Sequence, residues 1–168
     1  MFGRGKTKEK EQEAGLDVII GYRSWLLAEG AFYSPIRGKR WNRNPVETRL
    51  SKKRETGFYA FHELKDAGDC RVAKNVIGLV VGSGEARIYE TGWRAERQQI
   101  IALAPLDPFY ARTQFMGPVS KGYKLFLSPD DLREIRLKGT QPVLLDSTDD
   151  LYDFGKKFSK SIRTSQQK

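Results

Sequence analysis

The sequence predicts an α+β fold: a small, antiparallel, β-rich and partly barrel-like domain whose short helices lie mainly toward the C-terminus. Two observations carry this. Runs of β-branched and aromatic residues recur up to Pro105, bounded by glycine, proline and acidic turn residues. Beyond Pro105 the pattern changes to proline breaks and Ser/Thr-plus-acidic helix starts. A length of 168 residues suits one domain. With 39% hydrophobic and 30% charged residues, the chain has enough apolar surface to build a core.

Taken in order, residues 1–14 mix Lys, Glu, Gln and Gly without apolar period and read as a flexible tail. Asp17 to Leu27, DVIIGYRSWLL, reads as a strand, turned at Glu29-Gly30 into a short strand through Ala31 to Ser34. A long basic connection follows, then a strand at GFYAF (Gly57 to Phe61) and one or two helical turns ended by Gly68. Val76 to Val81 and Ala86 to Tyr89 read as a hairpin turned by Gly82-Ser83-Gly84. That glycine run has no GK[ST] after it, so it is a poor phosphate loop. Trp93 to Leu103 reads as a strand ending ahead of Pro105, and Gly122 to Leu127 as another. Ser128-Pro129-Asp130-Asp131 opens a short helix through Arg136, with Ser as cap and Pro at the first position. A last strand at Pro142 to Leu145 leads into a helix from Ser147 toward Phe158, and residues 159–168 read as a flexible basic tail. The globular domain is thus expected over residues 15–158, and no internal repeat is present.

The charge is unevenly placed. The chain carries a formal +9, and between Arg37 and Arg54 eight cations face the single acid Glu47, a local +7. Clustered Lys and Arg attract polyanions, because each one seated on a phosphate releases counterions. The reading therefore assigns nucleic acid, RNA or DNA, to Arg37, Lys39, Arg40, Arg43, Arg49, Lys52, Lys53 and Arg54. Trp41 adds an aromatic face for stacking, and Asn42 and Asn44 add amides for hydrogen bonds. A second reading of Trp41 stands beside this one: a core residue at a strand end, with the cations in a solvated loop. Trp93 and Arg94, followed by Glu96, carry the same two readings, a wall that stacks on a base or a Trp locked in the core with an Arg-Glu pair bracing a turn. Tyr22, Arg23 and Trp25 do too, with alternation placing Arg23 on the face opposite Tyr22.

Several classes are disfavoured. Cys70 is the only cysteine and His62 the only histidine, which leaves no intrachain disulfide and no Cys/His zinc finger, and fits a reducing, cytoplasmic setting. The apolar runs are too short to cross a bilayer, and the basic run holds Pro45 and lacks an amphipathic period, so no membrane partner is expected. No cofactor, metal or catalytic set is assigned. An enzyme acting on nucleic acid or a nucleotide is kept as an alternative around His62, Glu63 and Glu96.

The stretches GYRSW (Gly21 to Trp25), GFYAF and VIGLVVGSGEARIYETGWRAERQQIIAL (Val76 to Leu103) resemble an uncharacterised family of small proteins from actinobacteria and their phages. That family shows a Tyr/Trp-Arg strand, a Cys-Gly-Ile/Phe-Tyr-Ala strand and a Gly-Tyr/Trp-Arg-Ala-Glu segment. The resemblance implies a shared β-rich fold and no particular activity. Where the family has cysteines before its Gly-Tyr-Ala segment, this chain has Arg54-Glu55-Thr56, so a metal site does not carry over. Ile77-Gly78-Leu79-Val80 is also similar to a short strand sequence of PUA-like barrels, which bind RNA or modified bases. The favoured reading is a non-catalytic nucleic-acid-binding module. The alternative is a protein-interaction factor, phage-encoded or an accessory inhibitor, docking on an acidic partner; the oligomeric state is left open.

Overall fold

The computed structural model describes residues 18–34, 39–51, 56–69, 74–107 and 124–166. The sequence readings at Arg37, Lys52, Lys53, Arg54 and residues 1–14 lie outside these. The chain forms β1 (Ile19–Ala28), β2 (Ala31–Tyr33), β3 (Arg43–Asn44), β4 (Val46–Glu47), β5 (Phe58–Phe61), α1 (Leu64–Gly68), β6 (Val76–Ile88) and β7 (Gly92–Pro105). A 3₁₀ turn (Pro129–Glu134), β8 (Lys138–Gly139), β9 (Val143–Leu144) and α2 (Thr148–Gln166) complete it. This is the β-rich α+β architecture read from the sequence, with its long helix at the C-terminus.

The two long strands form the spine. β6 and β7 pair antiparallel from Val76–Pro105 to Ile88–Trp93, and β1 pairs antiparallel along the other edge of β6 from Ile19–Gly82 to Trp25–Val76. On its other edge β7 is lined in turn by β5, β4 and the parallel β9. β5 also touches β1 at a single pair, Tyr22–Phe61, so β1, β6, β7 and β5 follow one another around a ring.

Alternation splits the core into two layers. One holds Trp25, Trp41, Trp93, Val80, Ile100 and Leu103; the other packs Tyr22, Ile77, Leu79 and Ala102 under Leu64 and Ala67 of α1 and Leu151 of α2. Because β6 is buried on both sides, Val76 to Val80 reads as a continuous apolar run instead of an alternating one. Phe154 and Phe158 join the second layer one helical face on from Leu151.

Four readings are corrected. The hairpin does not turn at Gly82-Ser83-Gly84. Its turn is Glu90-Thr91, closed by the Tyr89 N–H donating to the Gly92 carbonyl at 2.8 Å. The glycines lie inside β6. Gly82 makes room for the Trp93 ring, and Gly84, at φ 78°, sits in a bulge between Ser83 and Ala86 where the Glu96 carboxylate accepts from the Glu85 N–H. Lys124–Leu127 forms no strand. The turn after Ser128 is 3₁₀, held by a capping box in which Ser128 and Asp131 bond reciprocally. α2 runs through Gln166 instead of ending near Phe158. Its first turn is acidic, with Asp149 and Asp150, and its last holds Arg163, the arrangement a helix dipole favours.

Candidate functional site

Over residues 39–51 the basic segment is tied down at intervals, with cations exposed between the ties. After β2 the chain doubles back, the Ser34 N–H donating to Lys39 O and the Trp41 N–H to Phe32 O. Lys39 and Arg40 are exposed, Trp41 is buried, Asn42 and Arg43 are exposed, Asn44 is buried, and Thr48 and Arg49 are exposed again. β3 pairs in parallel with β8, and β4 pairs with β7 through Val46–Gln98. The result is a ridge carrying Lys39, Arg40, Arg43 and Arg49 toward solvent.

Two residues assigned to the ligand belong to the ties. Trp41 is 4% exposed, with the Trp25 and Phe58 rings edge-on at 5.5 and 5.6 Å and the Arg23 guanidinium 4.7 Å from its centroid. No face is left for a base. The Asn44 amide is likewise spent within the fold: its Nδ2 donates to the Ile100 and Thr140 carbonyls, and its Oδ1 accepts from the Ile100 N–H. The core readings therefore hold for Trp41 and for Trp93, which is fully buried and donates its indole N–H to Ile20 O at 3.1 Å. Stacking on these two tryptophans is corrected for one physical reason: a large apolar ring stabilises more by leaving water inside this ring of strands than by waiting on the surface.

Arg94 fares differently. Half-buried on β7, it lines a cavity of about 390 Å³ together with Arg23, Lys39, Thr48, Tyr59 and Phe61. Among the described residues the wall carries three cations and no carboxylate. Ser34, Thr48 and Thr56 supply hydroxyls, and Phe58, Tyr59, Phe61 and the little of Trp41 that is exposed supply apolar surface. Such a wall suits an anion that also has an apolar part.

The strand order sets the spacing of the two arginines. β5 lies between β1 and β7, so Tyr59 stands between Arg23 and Arg94. Arg23 donates to Tyr59 O at 3.0 Å and to Ser34 Oγ at 2.8 Å. Arg94 lies 5.3 Å from the Tyr59 ring centroid, as expected for the cross-strand partner of Tyr59. The Tyr59 hydroxyl shares a hydrogen bond of 3.1 Å with Thr91. Burial pushes that hydroxyl above the usual tyrosine value, and the Thr91 bond and the Arg94 charge only partly offset it.

Tyr59, Ser34, Thr48 and Thr56 had no site reading from sequence, and Arg23 had one only as one of two readings. The available signal was Arg23, a charge inside an otherwise apolar strand; its partner Tyr59 is 36 residues away.

The residues kept for an enzyme do not assemble. His62 Nε2 lies 2.9 Å from Tyr89 O, and His62 and Glu63 line a separate cleft of about 630 Å³ beside α2, with Tyr152, Lys156 and Lys160. Glu96 is at the β6 bulge and not on that wall. Among the described residues no three His, Cys, Asp or Glu side chains cluster to hold a metal ion, and no helix is long and apolar enough to cross a membrane. No family model, curated protein or solved structure matches the chain.

Proposed function

We propose that this chain is a non-catalytic nucleic-acid-binding protein. The ridge of Lys39, Arg40, Arg43 and Arg49 grips phosphates, and Arg23 and Arg94 supply a recessed cationic site beside it. The observation that carries this reading is the exposure of Lys39, Arg40, Arg43 and Arg49 along one short stretch of chain, next to a recess lined by Arg23, Lys39 and Arg94 and by aromatic surface. Phosphate contacts from Lys and Arg supply affinity and register, while aromatic surface meets bases. An acidic protein would satisfy the cations but would leave the aromatic wall without a role. That contrast favours nucleic acid over the docking alternative.

The test is direct binding of the purified protein to random single- and double-stranded RNA and DNA across a salt series. The expected result is binding at low ionic strength whose logarithm falls linearly with the logarithm of salt, by roughly 0.7 to 0.9 per phosphate engaged. Absence of any shift at low ionic strength would sink the reading.

A further inference from the structure

We propose that the C-terminal half of α2 is a second phosphate-binding face, on the side of the sheet opposite the ridge, so that one molecule holds two nucleic-acid segments together. This rests on the nucleic-acid reading of the ridge and adds a bridging activity to it.

Charge argues first. From Phe154 to Lys168 the sequence carries five cations and no acid. Lys156, Lys157, Lys160 and Arg163 lie within α2 and are exposed. At 3.6 residues per turn they share an arc of about 120°, and Leu151, Phe154 and Phe158 take the opposite arc, packed into the second core layer. Lys160 already has an interaction within the chain, which leaves Lys156, Lys157 and Arg163 for a ligand. Lys156 lies 4.2 Å from the Tyr152 ring centroid, a contact that keeps its charge. Asp153, one turn earlier, and Glu63, across the cleft that Lys156 and Arg163 line, form no ion pair with these three cations.

Spacing argues second. Lys156 and Arg163 are two turns apart on one side of the helix, about 10 Å along its axis, a span that faces about three phosphates of a duplex strand at one per 3.4 Å. Place argues third. The Tyr22 hydroxyl lies where a methyl group on Gly155 of α2 would be, and the next residue of β1, Arg23, has its guanidinium 4.7 Å from the Trp41 ring centroid. Neighbours in a strand point to opposite faces, and Trp41 sits between Arg40 and Arg43, so α2 and the ridge flank the sheet from two sides. A segment lying on the ridge therefore leaves α2 open to another. An anionic membrane would attract the same cations, but it binds an amphipathic helix by taking up the apolar side, and that side of α2 is spent on the core.

The experiment uses the full chain at low salt, with an oligonucleotide fixed to beads and a labelled copy in solution, once as oligo(dT) and once as a random-sequence duplex. At sub-saturating amounts the protein is expected to carry the labelled copy onto the beads. Lys156→Gln/Lys157→Gln/Arg163→Gln removes three exposed charges without placing an acid at the end of the helix, so its melting temperature stays within a few degrees of the parent. That variant is expected to bind the beads through the ridge and to capture at least about tenfold less of the labelled copy. Capture that survives the triple change would overturn the inference and leave the nucleic-acid reading standing, with a dimer joined elsewhere doing the bridging. Bead binding by the parent protein without capture would overturn it too, as would a triple variant that no longer binds the beads at all. Loss of capture to polyglutamate as readily as to unlabelled oligonucleotide would overturn it in favour of an acidic protein, and binding of phosphatidylserine vesicles through α2 in place of capture would do so in favour of a membrane. Failure of the parent protein to bind either kind of bead would overturn both readings.

Discussion

The side-chain amide of Asn44 pairs with Ile100 as a neighbouring strand would, accepting from its N–H at 2.7 Å and donating to its carbonyl at 2.9 Å. Between β4 and β9 this edge of β7 has no strand, and one asparagine takes its place. Asn75 repeats the device at Leu27, with bonds of 2.8 and 2.9 Å. Asn44→Ala strips partners from the Ile100 N–H and the Ile100 and Thr140 carbonyls. Each buried group left alone costs about 1–3 kcal/mol, and the expected loss is about 3 kcal/mol or more by chemical denaturation. Asn42→Ala, two residues earlier and exposed, is the control and stays within about 0.5 kcal/mol of the parent. Equal effects at the two positions would refute the pairing role.

The ridge separates binding from folding. Reversing Arg40, Arg43 and Arg49 together to Glu is expected to weaken oligonucleotide binding more than tenfold at low salt and to lower the salt slope by about 3, one unit per phosphate lost. All three side chains are exposed, so the melting temperature moves only a few degrees. An unchanged slope would show that the cations do not meet phosphates.

α2 rests on β1 through a glycine. A methyl group at Gly155 would land on the Tyr22 hydroxyl. Elsewhere in a helix, Gly→Ala gains about 1 kcal/mol; here Gly155→Ala is expected to destabilise by about 1–3 kcal/mol, the usual effect of overpacking. In a Tyr22→Phe background, where the colliding oxygen is gone, the same change is expected to cost at least about 1 kcal/mol less. A double-mutant cycle by denaturation reads this coupling, and an identical cost in both backgrounds would exclude the contact.

Alkaline titration gives a fourth check. Tyr22 and Tyr59 are both held above the ordinary tyrosine value of 10.0, in each case mainly by burial. The unfolded chain therefore gives up these protons first. Their contribution to stability is complete below about pH 10 and declines as pH rises through the raised folded values. The tyrosinate absorbance of the native protein should show a late-titrating fraction that Tyr22→Phe and Tyr59→Phe each reduce. A single transition at the ordinary tyrosine value would contradict the burial of both rings.

The strands were legible because β-branched and aromatic runs report local burial directly. The hairpin turn was not, because Gly82 and Gly84 serve two different needs, room for the Trp93 ring and a bulge, and both look like turn chemistry in one dimension. The length of α2 was hidden by its polar second half, where Lys156, Lys157, Lys160 and Arg163 suit an exposed helix as well as a tail. Within the site, Lys39, Arg40, Arg43 and Arg49 were visible as a charge cluster, and they are exposed. The cavity was not visible, since Arg23, Tyr59 and Arg94 meet only when β5 is inserted between β1 and β7. Trp41 and Asn44 misled for a shared reason. A tryptophan or an asparagine among arginines offers a base the same groups that it offers a core or an open strand edge.

The pairing around the ring is unequal: β6 and β7 are joined along nearly their whole length, whereas β1 and β5 meet at Tyr22–Phe61 alone. Of the four junctions in the ring this seam has the fewest ladder pairs, so its amides should surrender deuterium protection well before those of the β6–β7 ladder. The bond from Arg23 to the Tyr59 carbonyl crosses the same gap. Breathing at the seam and the integrity of the cationic recess are therefore one equilibrium, with a single guanidinium as its latch.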